Sequence, residues 1–286
     1  METNTQTFLI ADAGSTKTSW MVTDRQGNAI ASFETEGINP VHQNEETIVR
    51  ILTEVGRRLT ESRCMPTIIG YYGAGLIPAK RPLMQRLLGE AFPQASIEAE
   101  SDLLGAARAL CGHGEGIAAI LGTGANSCLY DGNAIIQNTP PLGYILGDEG
   151  SGAALGKRFL NALFRGTLPT EMRDDYLSSA GLTYADVIDR VYRQPQANRF
   201  LASTSLYIGK HIAQSEALQT LVTDNFRDFL RHHIVPYRRP ELPVSAIGSI
   251  AWRYKEQLFA ACQMEGLKLG TVAKSPIEGL IAYHCE

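Results

Sequence analysis

The chain has 286 residues, 44% of them hydrophobic and 20% charged, with a formal net charge of −4. Such a composition excludes long disorder and supplies a large core, and the length fits two domains. The charge, with no basic run, argues against nucleic acid as a partner, and no apolar stretch approaches transmembrane length.

The polar start, Met1 to Thr7, does not read as a signal peptide. From there the predicted elements run as follows. Three strands, 8–12, 18–24 and 29–35, are joined by short connections. The first connection is a turn of small and hydroxyl residues after Asp12: Ala13, Gly14, Ser15 and Thr16. Asn44 caps a helix with Glu45 and Glu46 in its first turn and Ile48, Ile51, Leu52, Val55 and Leu59 at helical spacing. A strand over 67–73 leaves through Gly73-Ala74-Gly75, a helix covers 78–90, and a strand over 95–100 ends at Ser101-Asp102 before a helix over 103–110. A meander of three strands followed by alternating helix and strand implies a mixed sheet with helices on both faces.

At Gly112–Gly116 the pattern restarts. A strand over 117–121 enters Gly122-Thr123-Gly124-Ala125-Asn126, followed by a strand over 127–130, a turn at Asp131-Gly132 and a strand over 133–137. Gly27-Asn28-Ala29-Ile30 in the first unit matches Gly132-Asn133-Ala134-Ile135 in the second, so strand, small-residue loop, strand, turn and strand form an internal repeat. A repeat in two halves implies two similar domains, with a cleft expected between the two loops. Beyond a Gly-rich segment over 140–152, the stretch 153–233 reads as mostly helical with a loop over 195–198. A strand over 243–247 enters Gly248-Ser249, a helix spans 252–263, an edge strand 267–272, and Ser275-Pro276 opens a last helix. The five cysteines, Cys64, Cys111, Cys128, Cys262 and Cys285, are scattered without metal spacing, which suggests reduced thiols in a cytoplasmic protein and no structural zinc.

Five segments together carry a family resemblance. Asp12-Ala13-Gly14-Ser15-Thr16-Lys17-Thr18 resembles the first phosphate motif of the sugar kinase/Hsp70/actin superfamily, and Leu121 to Ser127 its second. Ala246-Ile247-Gly248-Ser249-Ile250-Ala251 resembles the adenosine motif. Gly147-Asp148-Glu149-Gly150-Ser151 and Ser275-Pro276-Ile277-Glu278-Gly279 resemble the N-acetylglucosamine kinase branch, whose family also holds the ATPases that activate 2-hydroxyacyl-CoA dehydratases and benzoyl-CoA reductase. The resemblance covers nearly the whole chain. It implies an α/β fold of two ribonuclease H-like (actin-like ATPase) domains, each a mixed five-stranded sheet flanked by helices, with a cleft between them. The first domain is expected over 1–110. The second is expected over 111–286 with a helical insertion, its last helix, 275–286, being able to pack back on the first.

The resemblance also implies ATP and Mg²⁺ as cofactors, an amino sugar as the other small-molecule partner, and a homodimer. Asp12 would hold Mg²⁺ through water. Gly14, Ser15, Thr16, Gly122, Thr123 and Gly124 would clamp phosphates with backbone and hydroxyl donors. Lys17 reads either as a cation for the same loop or as a solvated residue at a strand edge. Gly248 and Ser249 would pack against adenine or ribose. A kinase needs a carboxylate to take the proton from the attacking hydroxyl. Asp102 is the choice; the residues alone also allow Ser101 and Asp102 to be a helix cap. Asp148 falls where a carboxylate meets sugar hydroxyls, with Glu149 as a helix-start acid or a second contact. Asn39 is either a sugar contact or a turn residue before Pro40, Asn126 and Ser127 could reach the sugar, and Gly75 would line the cleft. The chain departs from the family pattern at Leu142, where a Trp is common, and at Ser249, where a second Gly is frequent. The expected reaction is phosphorylation of an amino-sugar hydroxyl, most readily N-acetylglucosamine at O6. The alternative is an ATPase that activates a dehydratase or reductase.

Overall fold

A computed structural model describes residues 6–285. Most of the polar N-terminal start and Glu286, the end of the expected last helix, lie outside the described residues.

The first unit runs to Gly114 and includes Gly132–Ala134 and the segment from Pro276 onward. Its elements are β1 (Phe8–Ala13), β2 (Lys17–Thr23), β3 (Ala29–Glu36), α1 (Glu45–Glu61), β4 (Ile68–Gly73), α2 (Arg81–Ala91), β5 (Ser96–Ser101) and α3 (Asp102–Cys111). The sheet order is β3-β2-β1-β4-β5. β1 pairs antiparallel with β2 and parallel with β4, and β4 pairs parallel with β5. A central strand covered on both faces must be apolar on both, and Phe8, Leu9, Ile10 and Ala11 are all buried. One face takes Ile48, Ile51, Leu52, Val55 and Leu59 of α1 against Trp20 and Tyr71.

The second unit covers the remaining segments, Glu115–Asp131 and Ile135–Ser275. It starts with β6 (Gly116–Leu121), β7 (Ala125–Tyr130) and β8 (Ile135–Gln137). Helices follow: α4 (Gly143–Leu146), α5 (Gly152–Phe164), α6 (Thr170–Ala180), α7 (Tyr184–Tyr192), α8 (Ala197–Ser203), α9 (Ser205–His211) and α10 (Glu216–Phe229). A π-helical turn (Leu230–Ile234) ends this run. Then come β9 (Val244–Ile247), α11 (Ser249–Arg253), α12 (Lys255–Met264) and β10 (Leu269–Ala273). The sheet order is β10-β9-β6-β7-β8. Read from its other edge it repeats the first: an antiparallel meander whose opening strand also pairs in parallel with a later crossover strand. The repeat seen in the sequence is thus a repeat of topology. The last helix, α13 (Ile277–Cys285), belongs to the first unit, where Ile277 and Leu280 cover Phe8, Ile10 and Tyr72 on the sheet face away from α1.

Three local expectations are corrected. The helix expected over 252–263 is two helices broken at Tyr254, whose buried ring is anchored when its hydroxyl donates to the Ser205 carbonyl at 2.6 Å. The expected strand over 133–137 begins only at Ile135, after the turn at Gly132. The Gly-rich segment over 140–152 contains the single helical turn α4.

The N-terminus of α1 is held as its sequence demands: Asn44 Oδ1 accepts from the Thr47 amide at 3.0 Å. Asn44→Ala is expected to lower stability by about 1 kcal/mol, while Asn44→Asp retains it. Urea denaturation of the two variants checks this, and equal losses would remove the cap from the account.

Candidate active site

In the first unit the functional candidates gather where β1, β4 and β5 end. Asp12 lies opposite Tyr72, and Gly73 lies opposite Ser101, so Asp12 and Asp102 leave the same, C-terminal edge of three parallel strands. That edge is the ordinary ligand edge of parallel sheets. The turn after Asp12 is tight: the Gly14 amide donates to the Lys17 carbonyl at 3.0 Å, and the Gly37 amide donates to the Thr16 carbonyl at 3.0 Å. Gly37 lies so close beneath this turn that a Cβ there would sit 2.4 Å from the Gly14 oxygen. Ser15 and Thr16 are left exposed at the tip.

Asn39 takes the turn role among its expected readings and adds one that was not expected. Its side-chain oxygen accepts from the Val41 amide at 3.0 Å, which is the turn role, and its amide donates to Ser15 Oγ at 2.8 Å, which braces the phosphate-type loop. At 7% exposure it is mainly a support for that loop. A Cβ on Gly75 would meet Asn39 Oδ1 at 2.2 Å, so backbone lines this spot. Lys17 is exposed and paired with Glu34. An exposed pair of this kind is worth little, so the ammonium can exchange one anion for another.

At the start of α3 the cap and the functional carboxylate separate. Ser101 Oγ accepts from the Leu104 amide at 3.2 Å and is the N-cap. Asp102 is the first helical residue, with Oδ1 accepting from the Leu103 amide at 2.9 Å. Burial raises the Asp102 carboxyl above the usual carboxylate range, against the Leu103 hydrogen bond. Asp12 is raised to about 6 by burial and by the negative charge of Asp102, with Lys17 opposing. Tyr71, which the sequence marks only as part of a strand, is fully buried, and burial and the charges of Asp102 and Asp12 push its hydroxyl well above the usual range.

Among the described residues no group of three or more His, Cys, Asp or Glu side chains forms a metal-ligand cluster. Asp12 nevertheless suits a hydrated Mg²⁺, which typically takes one or two carboxylates and completes its shell with water and substrate phosphates. A half-buried carboxylate that also feels a second negative charge is an environment a cation relieves.

In the second unit the loop between β6 and β7 is fastened to a helix end. The carbonyls of Gly122 and Thr123 accept from the amides of Gly152 (2.8 Å) and Ala153 (3.1 Å) at the start of α5, and Ser151 Oγ caps Ala154 at 3.0 Å. Gly248, with φ 124°, approaches from β9; a Cβ there would lie 2.4 Å from the Leu121 oxygen. Ser249 begins α11 and is exposed. Asp148 has a left-handed backbone, φ 58°, and its Oδ1 accepts from the Ala125 amide at 3.3 Å. Burial raises its carboxyl above the usual range. The adjacent Glu149 turns away from Asp148 to His233 at 3.1 Å.

Asn126 uses its side-chain oxygen on the Ser127 amide and on Asn138, both at 2.9 Å. Ser127 corrects an expectation. It is fully buried with its hydroxyl 2.7 Å from the Tyr237 hydroxyl, so it ties the sheet to the turn after the π-helix and has no side-chain atom to offer a sugar. The structure thus joins Asp12, Ser15, Asn39, Gly75 and Asp102 in one unit, and Gly122, Thr123, Gly124, Asp148 and Gly248 in the other.

The two repeated sheets with a small-residue loop in each define the class: an actin-like sugar-kinase fold. No family model matches the chain, and no curated protein matches it. Solved structures do. A proposed N-acetylglucosamine kinase from Porphyromonas gingivalis is 46% identical over 97% of this chain and 98% of that one, with a TM-score of 0.92. A proposed N-acetylglucosamine kinase from Chromobacterium violaceum, 18% identical over 98% and 99% of the chains, has a TM-score of 0.73. A ROK family glucokinase from Streptomyces griseus, solved with glucose and AMPPNP, is 14% identical over 98% of each chain with a TM-score of 0.58; these last two share the fold. The chain belongs to the N-acetylglucosamine kinase-like family of the sugar kinase/Hsp70/actin superfamily.

The raised Asp12 carboxyl carries a stability consequence. Its folded value of about 6 exceeds the unfolded value of about 3.9, so its contribution is present below pH 4 and lost as pH rises through 6. Asp12→Asn is expected to make the ligand-free protein more stable than the parent at pH 7.5, by on the order of 2 kcal/mol, with the gap closing near pH 4. Urea denaturation across that range measures it; a less stable variant at pH 7.5 would contradict the assignment.

Proposed function

We propose that this protein is an ATP-dependent amino-sugar kinase that phosphorylates N-acetylglucosamine at O6. The observation that carries the reading is the division of labour at the start of α3: Ser101 caps the helix, leaving Asp102 as a half-buried carboxylate with a raised pKa at the ligand edge of the sheet. A general base works best when its pKa approaches the working pH.

In the reaction, Asp102 accepts the proton of the sugar hydroxyl as O6 forms its bond to the γ-phosphorus. The bond from that phosphorus to the β,γ-bridging oxygen breaks, and the electron pair leaves on ADP. Ser15, Thr16, Lys17, Gly122, Thr123 and Gly124 hold the phosphates, and Gly248 and Ser249 meet the nucleoside. Asp148 accepts hydrogen bonds from sugar hydroxyls, with Asn126 and the backbone at Gly75 beside the sugar and Asn39 supporting Ser15. Mg²⁺, when bound through water by Asp12, neutralises charge on the phosphates. The family relationship and the sugar-kinase fold support the class of reaction. Among the described residues no helix is long and apolar enough to cross a membrane; the location proposed for this activity is the cytoplasm.

ADP release against a panel of amino sugars and hexoses, with water alone as control, tests the proposal. N-acetylglucosamine is expected to stimulate release most strongly; release equal in water and in every sugar would favour an ATPase switch instead. Asp102→Asn should lower sugar-dependent kcat by on the order of 10²–10⁴-fold while ATP affinity stays within about twofold. Near-parental turnover would remove Asp102 as the base. Asp148→Asn, which keeps an acceptor for the Ala125 amide, should raise the sugar KM about tenfold or more, and a change confined to the ATP KM would misplace the sugar contact.

A further inference from the structure

The loop that carries Asp148 is clamped from one side by the end of α10 and the π-helical turn that follows it. π-helical turns are rare, and each needs a reason. Here the wide turn brings His233 to face the loop. His233 is 2% exposed, its ring stacks on Phe229 at 5.1 Å and 22°, and its Nε2 lies 3.1 Å from Glu149 Oε2. Its Nδ1 is buried with no hydrogen-bond partner, so the tautomer that satisfies the geometry carries its hydrogen on Nε2 and donates it to Glu149. The His233 carbonyl accepts from Thr139 Oγ1 at 3.0 Å, which fixes the backbone of the turn.

The same segment grips the loop just after Glu149. Gly150, with φ 79°, packs so close that a Cβ would meet the Phe229 Cβ at 2.6 Å, and buried Asn225 donates to the Ser151 carbonyl at 3.4 Å. Directly before this gripped stretch sits Asp148 in a left-handed conformation, which costs a non-glycine residue roughly 1 kcal/mol and persists only where the surroundings over-determine it. The Asp148 amide donates to Pro141 and its carbonyl accepts from Ser151, at 2.9 and 3.0 Å; the second bond closes a turn with Glu149 and Gly150 at its centre but leaves the Glu149 side chain to be held by another contact. Glu149 is that residue, and His233 is its partner. Burial works against the charged form of Glu149, while its own backbone amide and the His233 ring hold its carboxyl below the usual range, so it remains a charged anchor.

We propose that His233 is a positioning residue: by donating to Glu149 it locks the backbone of Asp148 so that the Asp148 carboxylate is presented to the sugar. Glu149 is therefore an anchor of the loop rather than a sugar contact. The inference rests on the sugar-binding role given above to Asp148.

The test is steady-state kinetics on the full chain with N-acetylglucosamine and ATP, using His233→Phe, His233→Gln, Glu149→Ala and the double variant His233→Phe/Glu149→Ala. His233→Phe keeps the stacking on Phe229 and removes the donor; it should raise the sugar KM about tenfold, with kcat and the ATP KM within about twofold. His233→Gln restores a donor and should bring the sugar KM back to within about threefold of the parent. Glu149→Ala should match His233→Phe, and the double variant should be no worse than either single one, because both remove the same link. A purely structural histidine would instead give additive losses, no rescue by Gln, and kcat falling with KM; that pattern overturns the inference. If His233→Phe does not fold, the half-buried Glu149→Ala and the Gln variant decide, and an unchanged sugar KM in Glu149→Ala overturns it equally. Absence of sugar turnover in the parent overturns the sugar-kinase reading and this inference together, whereas parental turnover with unmoved sugar KM in the variants overturns this inference alone.

Discussion

Main chain packed directly on main chain is the contact on which both functional loops depend. Gly37 lies under the turn after Asp12, and Gly248 lies against the start of the turn after Leu121; at either place a β-carbon would come within 2.4 Å of a carbonyl oxygen. Each loop is thereby fixed by backbone, with its small side chains left over to face a ligand. Backbone amides and hydroxyls held in this way are suited to phosphate oxygens, because they need no reorganisation when charge arrives. The second loop is fastened further by the first amides of α5 donating to Gly122 and Thr123. Helix amides that normally need a cap become the brace of a binding loop.

Against this rigid backbone the sheet edge of the first unit concentrates unfavourable charge. Asp12 and Asp102 stand at the ends of β1 and β5 on the same sheet edge, burial makes both resist ionisation, the Asp102 charge raises the cost of charging Asp12, and both raise that of the Tyr71 hydroxyl. In the ligand-free protein that arrangement opposes folding near neutral pH. The same property makes one carboxylate ready to take a proton and the other ready to hold a hydrated cation, so stability and activity draw on the same two residues in opposite directions.

Much of this was legible in the sequence, for reasons that are local. The paired Gly-Asn-Ala-Ile turns and the small-residue loops before them announced two copies of one topology, and the two sheets have the same strand order. The α1 cap and its buried face followed from Asn44 and the spacing of its aliphatic residues. What was not legible depends on contacts distant in the chain. Asn39 could be seen as a turn residue or a site residue, but not as the partner of Ser15, 24 positions earlier. Ser127 looked available because it adjoins a phosphate-type loop, yet Tyr237, 110 positions on, takes its hydroxyl. His233 lay inside a stretch read simply as helical; a two-histidine run gives no sign of the π-turn that aims one ring at Glu149. Tyr254 likewise breaks a helix whose apolar spacing is continuous, through a bond to Ser205.

The destination of the γ-phosphate separates a sugar kinase from an ATPase. ³¹P NMR of the products formed from ATP and N-acetylglucosamine measures this directly. Phosphate appearing as a sugar phosphomonoester coupled to the C6 protons, in step with ADP, is the predicted result; inorganic phosphate with the sugar unchanged would contradict it.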